Sequence, residues 1–283
     1  MTMATGAATA DPAVTAASML ARTYLDLVAS CEALNVRIAS EASQVLLNGA
    51  ELTRSEKALD AFIDAEADRI REHHRHAPRR DVAASRALHD YLWSVALLMS
   101  GAWYLERRVP RIAPQDVRID VAAAAFEIVP GSGFACLSDD PAAGMPGVRV
   151  VAHEEALRAE LRAAVADHVG PLLAAVGPHA RRRPRALWGM AADDLVSGIW
   201  YLGRMLDQED RAIQAATELL PTAIPPFPGG ADFRRLAGRN GRRHPTRTRL
   251  GCCMYYTLDA AQACSTCPRT CDAERLRRLE DAD

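Results

Sequence analysis

Five of the seven cysteines in this 283-residue chain fall between positions 252 and 271, in the stretch GCCMYYTLDAAQACSTCPRTC. Cys252 and Cys253 are adjacent, ten residues follow, and Cys264 and Cys267 close a C-x2-C pair. The C-x2-C half is a common metal bite, because two intervening residues let both thiolates reach one metal while nearby amides point at the sulfurs. The adjacent pair is harder to use. Neighbouring Cβ atoms point to opposite faces of a strand and diverge around a helix. Two adjacent thiolates therefore serve one site only from irregular backbone, or when the site is wide. A two-iron cluster is wider than a zinc ion, so the spacing leans toward iron–sulfur. A structural zinc knot uses the same ligand type, usually as two spaced pairs, and disulfides would require an exported protein.

The Arg247-Thr248-Arg249 lead-in, the Cys252-Cys253-Met254-Tyr255-Tyr256 run and the Cys264-Ser265-Thr266-Cys267-Pro268 ending resemble the C-terminal motif of ferric-siderophore reductases of the FhuF type. A fainter similarity to such reductases lies in Leu187-Trp188-Gly189-Met190-Ala191, which resembles a Leu-Trp helix start in their middle. The resemblance implies a [2Fe-2S] cluster on Cys252, Cys253, Cys264 and Cys267. It also implies an oxidoreductase that passes one electron to Fe(III) in a siderophore, supplied by a soluble ferredoxin or flavoprotein reductase, and the lack of an export signal or a bilayer-long apolar run makes the cytoplasm the expected setting. Cys271 has no place in that pattern and is a spare thiol or a substitute ligand. Siderophores bind through hard oxygen donors, which suit Fe(III) far better than Fe(II), so reduction loosens the complex. No acid, base or nucleophile is required, and the sequence offers no Ser/His/Asp arrangement, nucleotide loop or flavin fingerprint. A zinc-stapled binding module and a plain electron carrier are the two alternatives.

Ahead of the cysteines lie Arg234, Arg235, Arg239, Arg242, Arg243, His244, Arg247 and Arg249, a local basic patch in a chain of net charge −2. A solvated arginine-rich loop is one account. The other is a docking surface for an acidic donor or an anionic ferric chelate, to which Arg247 and Arg249 have the better claim because they adjoin the cysteines. The patch lacks interleaved aromatics, which speaks against nucleic acid.

The elements that must position this segment read as mainly helical α+β. Asp11-Pro12 opens a long helix through Leu20, Tyr24, Leu27, Cys31, Leu34 and Ile38, ending near Asn48-Gly49, with Cys31 in the core. Thr53-Arg54-Ser55-Glu56 is a capping box for a second helix, which ends in His73, His74 and His76, a solvated, dipole-favoured helix end. Asp81 caps a third helix with a broad apolar face, stopped by Pro110, with Trp93 and Trp103 as core. Alternation at Val117, Ile119 and Val121 and the runs around Pro130-Gly131-Ser132-Gly133 predict a small antiparallel sheet with a hairpin, over about residues 115–152 and including Cys136. Helical spacing returns from Leu157 to Gly177-Pro178 and again from Leu187 to Leu220. Asp193 and Asp194 read as dipole-favoured carboxylates in that helix's first turns.

The chain thus divides into a disordered tail (1–12), a helical substrate-binding body (13–220), a Pro/Gly linker (221–230) and an irregular cluster module (231–283). No secretory signal is visible, and the most apolar run, residues 95–105, is about half the length a bilayer requires, which predicts no stable membrane insertion.

Overall fold

The computed structural model describes residues 15–39, 46–131, 133–259 and 263–281. In chain order the elements are α1 (Ala16–Ser30), β1 (Val36–Ile38), β2 (Leu47–Asn48), α2 (Glu51–Arg54), α3 (Glu56–His74), α4 (Arg80–Glu106), β3 (Val109–Pro110), β4 (Val117–Asp120), β5 (Ala125–Ile128), β6 (Phe134–Leu137) and β7 (Val148–Val151). There follow α5 (Glu154–Ala180), α6 (Pro184–Met205), α7 (Glu209–Leu219), β8 (Arg234–Ala237), β9 (Arg243–Thr246) and α8 (Asp272–Asp281). The mainly helical α+β class is as the sequence implies.

α4 is apolar on nearly every face, and a helix of that kind is stable only when surrounded. It packs against α1, α3, α5 and α6. Small residues set the close approaches. A side chain at Gly101 would collide with Leu27 of α1, and one at Gly198 of α6 would touch Leu97.

Several boundaries differ from the sequence reading. α1 stops at Ser30, because residues 34, 36 and 38 alternate as well as they fit a helix, and Val36–Ile38 pairs in parallel with β5. Its N-cap is Thr15, in a capping box with Ser18, while Asp11-Pro12 and the expected tail lie outside the described residues. Ser55, not Thr53, caps α3 by accepting from the Ala58 amide. Asp81 lies inside α4 and is held by Arg79, and the helix ends at Arg107 in the left-handed region, before Pro110. α5 runs through Gly177-Pro178 to Ala180 because Val176, Gly177 and Ala180 are buried. The single helix expected to reach Leu220 is two: Asp207 adopts a left-handed turn (φ 55) and Gly203 leaves room for Ala212, so α7 folds back on α6.

The sheet is also more divided than expected. β5 and β6 do not form a hairpin across residues 130–133. β1-β5-β4-β2 is a mixed four-stranded sheet whose hairpin is β4–β5, β3-β6-β7 is a separate three-stranded sheet with β6 and β7 parallel, and β8 and β9 pair antiparallel. Strand pairing beyond the hairpin depends on where the helices deliver each strand.

A buried polar contact links α4 to α5. His168 Nδ1 lies 2.7 Å from the Ile112 carbonyl and Nε2 lies 2.8 Å from the Tyr91 hydroxyl, so the neutral ring donates from Nδ1 and accepts at Nε2. Burial pushes His168 below its ordinary value of 6.5. The unfolded chain then takes up a proton that the folded one refuses. Stability contributed by the neutral ring is present above about pH 6.5 and is lost as pH falls toward the folded value. The thermal midpoint should fall between about pH 7.5 and about pH 5, and His168→Asn should show a shallower fall. An unchanged slope in the variant would remove His168 from the account.

Candidate metal centre

The cysteine segment is carried on the first half of α6. Gly251 is backed against Met190 so closely that a Cβ there would lie 2.7 Å from Met190 Cγ, and one at Gly189 would lie 3.3 Å from Leu250 Cβ. The Leu187–Ala191 similarity thus falls on the turn that supports the cysteines. Upstream, residues 221–230 are packed rather than loose: Phe227 is buried edge-on against Trp188, and Ala231 donates its amide to the Leu220 carbonyl.

Asp193 and Asp194 anchor the segment from mid-α6, well beyond its first turns, and both are 0% exposed. Asp193 accepts from Arg247 Nη2 (2.7 Å) and from the amides of Leu250 (3.0 Å) and Gly251 (2.6 Å), with Arg249 Nε 3.7 Å away. Asp194 accepts from Arg249 Nη2 at 2.6 Å and lies 2.9 Å from His89 Nδ1 on α4. Burial pushes the Asp193 carboxyl up against the pull of both guanidinium groups. For Asp194 burial works the same way, but His89 and Arg249 outweigh it and the carboxyl is held below the usual range.

Arg247 and Arg249 are therefore interior residues, 0% and 6% exposed, and not the docking surface the sequence reading gave them. Their guanidinium groups bind carboxylates, the Ala231 carbonyl and Ser197, and among the described residues Arg249 Nε is left without a hydrogen bond. Much of the remaining basic patch is also neutralised: Arg234 pairs with Asp272, Arg235 with Asp210 and Arg239 with Glu280.

Cys252, Cys253, Cys264 and Cys267 line one small cavity together with Arg249, Tyr255 and Tyr256. Cys253 and Cys267 are buried, and Cys252 and Cys264 are half-buried. The backbone at Cys252 and Cys253 is neither helix nor strand, and Met254 turns it through the left-handed region (φ 64), which lets two adjacent thiols face one cavity. The Met254 amide donates to Cys252 Sγ at 3.4 Å, and the Tyr255 amide donates to the Cys253 sulfur. A hydrogen bond from Cys264 holds the Cys253 thiol well below the ordinary range despite burial, with His89 and Arg86 adding to the effect, while Cys264 is pushed up. Arg275 of α8, 1% exposed, fixes the other half by donating to the carbonyls of Ser265, Cys267 and Thr270.

Two features test whether the cavity fits a two-iron group. Among the described residues no three His, Cys, Asp or Glu side chains are placed to share a single metal ion. Arg249 Nε is buried without a hydrogen-bond partner, beside the charges of Cys253 and Cys264. Sulfur-directed amides and an unsatisfied buried donor suit an anionic four-thiolate cluster.

Residues 249–269 match the family model of the FhuF 2Fe-2S C-terminal domain. This segment is thus similar to a FhuF-type iron–sulfur domain, and the match supports a [2Fe-2S] cluster as its cofactor. No curated protein matches the chain.

Cys271 is exposed at the start of α8 and does not line the cavity. Cys31 and Cys136 are buried, and burial pushes Cys31 up to about 11, as for an inert core thiol. His74, read as part of a solvated helix end, meets Tyr255 with ring centroids 5.8 Å apart. Arg86, His89 and Arg275 were missed in the sequence. They stand far from the motif in sequence or on the charged helix after it, and only the meeting of α4, α6 and α8 brings them to the sulfurs. Among the described residues no helix is long and apolar enough to cross a membrane.

Proposed function

We propose that this protein is a ferric-siderophore reductase whose [2Fe-2S] cluster is held by Cys252, Cys253, Cys264 and Cys267. The observation that supports this reading best is the convergence of those four thiols on one cavity. Its walls supply sulfur-directed amides and buried cations. The bound cluster supplies storage for a single electron.

The chain's own residues set the conditions for that chemistry. Arg249, Arg86 and Arg275 lie near the thiolates and stabilise added negative charge. Tyr255 and Tyr256 cover the cavity, under Arg86 and Arg269 respectively, and limit water at the sulfurs. Fe(III) in the chelate gains one electron and becomes Fe(II), and a soluble donor, a ferredoxin or a flavoprotein reductase, replaces that electron. No proton transfer or covalent step by a side chain is required, and the setting is the cytoplasm.

The test is anaerobic purification, iron and sulfide analysis and visible spectroscopy. About two irons and two sulfides per chain are expected, with bands that bleach under dithionite and return when a ferric chelate is added. Bleached bands that stay bleached with every class of ferric chelate, yet return with an oxidised electron-transfer protein, would make the chain an electron carrier instead.

A further inference from the structure

Arginines in this protein are mostly tied to carboxylates, and the junction of α5 and α6 departs from that. Arg181 closes α5 in the left-handed region (φ 51), and Arg182, Arg183 and Arg185 follow around Pro184. Arg183 and Arg185 are exposed, and among the described residues their guanidinium groups have neither an ion-pair nor a hydrogen-bond partner. Arg181, Arg182 and Arg183 rim a shallow depression of about 410 Å³ with an apolar floor that includes Leu173, Gly177 and Leu187.

The depression lies beside the cysteines. Leu187 is in the same turn of α6 whose Gly189 and Met190 carry Leu250 and Gly251. Asp81, the carboxylate facing Arg181, is already held by Arg79. Arg269 lies over Tyr256 at the separate cysteine cavity, and the rim of the depression itself is cationic.

We propose that this depression seats the ferric chelate, and that the chelate is an anionic, aromatic one, with Fe(III) held by catecholate-type oxygens. The inference rests on the reductase reading and names its substrate class. A tris-hydroxamate shell neutralises Fe(III), whereas a tris-catecholate shell leaves a net negative charge on flat rings. Unpaired guanidinium groups gain charge-assisted hydrogen bonds and ring stacking from the second and little from the first. An apolar floor covers the ring faces, and the volume lies within the roughly 300–1,000 Å³ of small-ligand sites. A docked protein would need about 800 Å² from each partner, well beyond a recess of this size.

Gallium(III) matches Fe(III) in charge and nearly in size but accepts no electron here, so it separates binding from reduction. Iron–sulfur-loaded full-length protein is dialysed to equilibrium against the gallium complexes of a hexadentate tris-catecholate and of a tris-hydroxamate. The catecholate complex should bind roughly tenfold or more tightly, and its affinity should fall as salt rises from about 0.05 M to about 0.5 M. Arg183→Ala combined with Arg185→Ala should weaken it about tenfold with cluster absorption and thermal midpoint unchanged, whereas Arg243→Ala on β9 should leave it as it is.

Equal affinity for the two complexes, or full affinity in the double variant, overturns the inference. So does a double variant that loses docking of an acidic ferredoxin while the catecholate complex binds neither protein. If ferric chelates are reduced but the gallium pair shows no charge preference, the reductase reading stands and this one falls. A charge preference without electron transfer does the reverse.

Discussion

Asp193→Asn should leave the helical body folded and release the cysteine segment from it. Asp193 is 0% exposed and receives Arg247 together with the amides of Leu250 and Gly251, so one carboxylate fixes the chain immediately before Cys252. An asparagine keeps the shape but removes the charge, and its amide nitrogen turns a donor toward donors. The Arg247 guanidinium, also 0% exposed, is then left buried without its counter-charge. Breaking a buried pair in this way costs about 3–5 kcal/mol, against a total stability of about 5–15 kcal/mol. Because the loss falls on one segment, the expected result is a lowered cluster content and rapid proteolysis after residue 230, with far-ultraviolet helical signal retained. Asp193→Asn combined with Arg247→Met should recover part of the stability, since no buried guanidinium is then left without its counter-charge and the asparagine carbonyl oxygen still accepts from the backbone amides. A single variant with wild-type cluster content and unfolding midpoint would show that the anchor lies elsewhere.

That anchor marks the limit of what the sequence disclosed. The iron–sulfur motif was legible because cysteine spacing is itself the chemistry, and the requirement for irregular backbone at Cys252-Cys253 is met by the left-handed Met254. The helical stripes were legible because Leu88, Leu92, Val95 and Met99, or Leu157, Leu161 and Val165, repeat at the helical period. Helix ends were less so. Residues 34–38 fit two periods at once, and tertiary pairing with β5 decided for a strand. Charged residues were hardest to place. Asp193, Asp194, Arg247 and Arg249 all look like surface in a sequence, since a lone buried charge is forbidden. Four of them together are allowed, and nothing in one segment reveals that its partners lie more than fifty positions away.

Serine substitutions at the cysteines should give the largest effect of all, and an uneven one. Cys252→Ser, Cys253→Ser, Cys264→Ser and Cys267→Ser should each lower iron from about two per chain to well under one, with loss of the visible bands, while Cys271→Ser keeps both. A serine hydroxyl ionises far less readily than a thiol, so it replaces a thiolate ligand poorly. The replacement should be worst at Cys253, where the surrounding Arg86, Arg249 and His89 are arranged for a negative sulfur and would face a neutral hydroxyl instead. Among the described residues Cys271 meets the site through its backbone carbonyl, which accepts the Arg275 amide at 2.9 Å, and serine preserves that contact. Loss of iron in Cys271→Ser, paired with retention in one of the four, would move a ligand to α8. The Arg275 network that now closes the Cys264–Cys267 turn would then have to open for the fifth cysteine to reach the cavity, and thermal unfolding of the loaded protein would register that change as well.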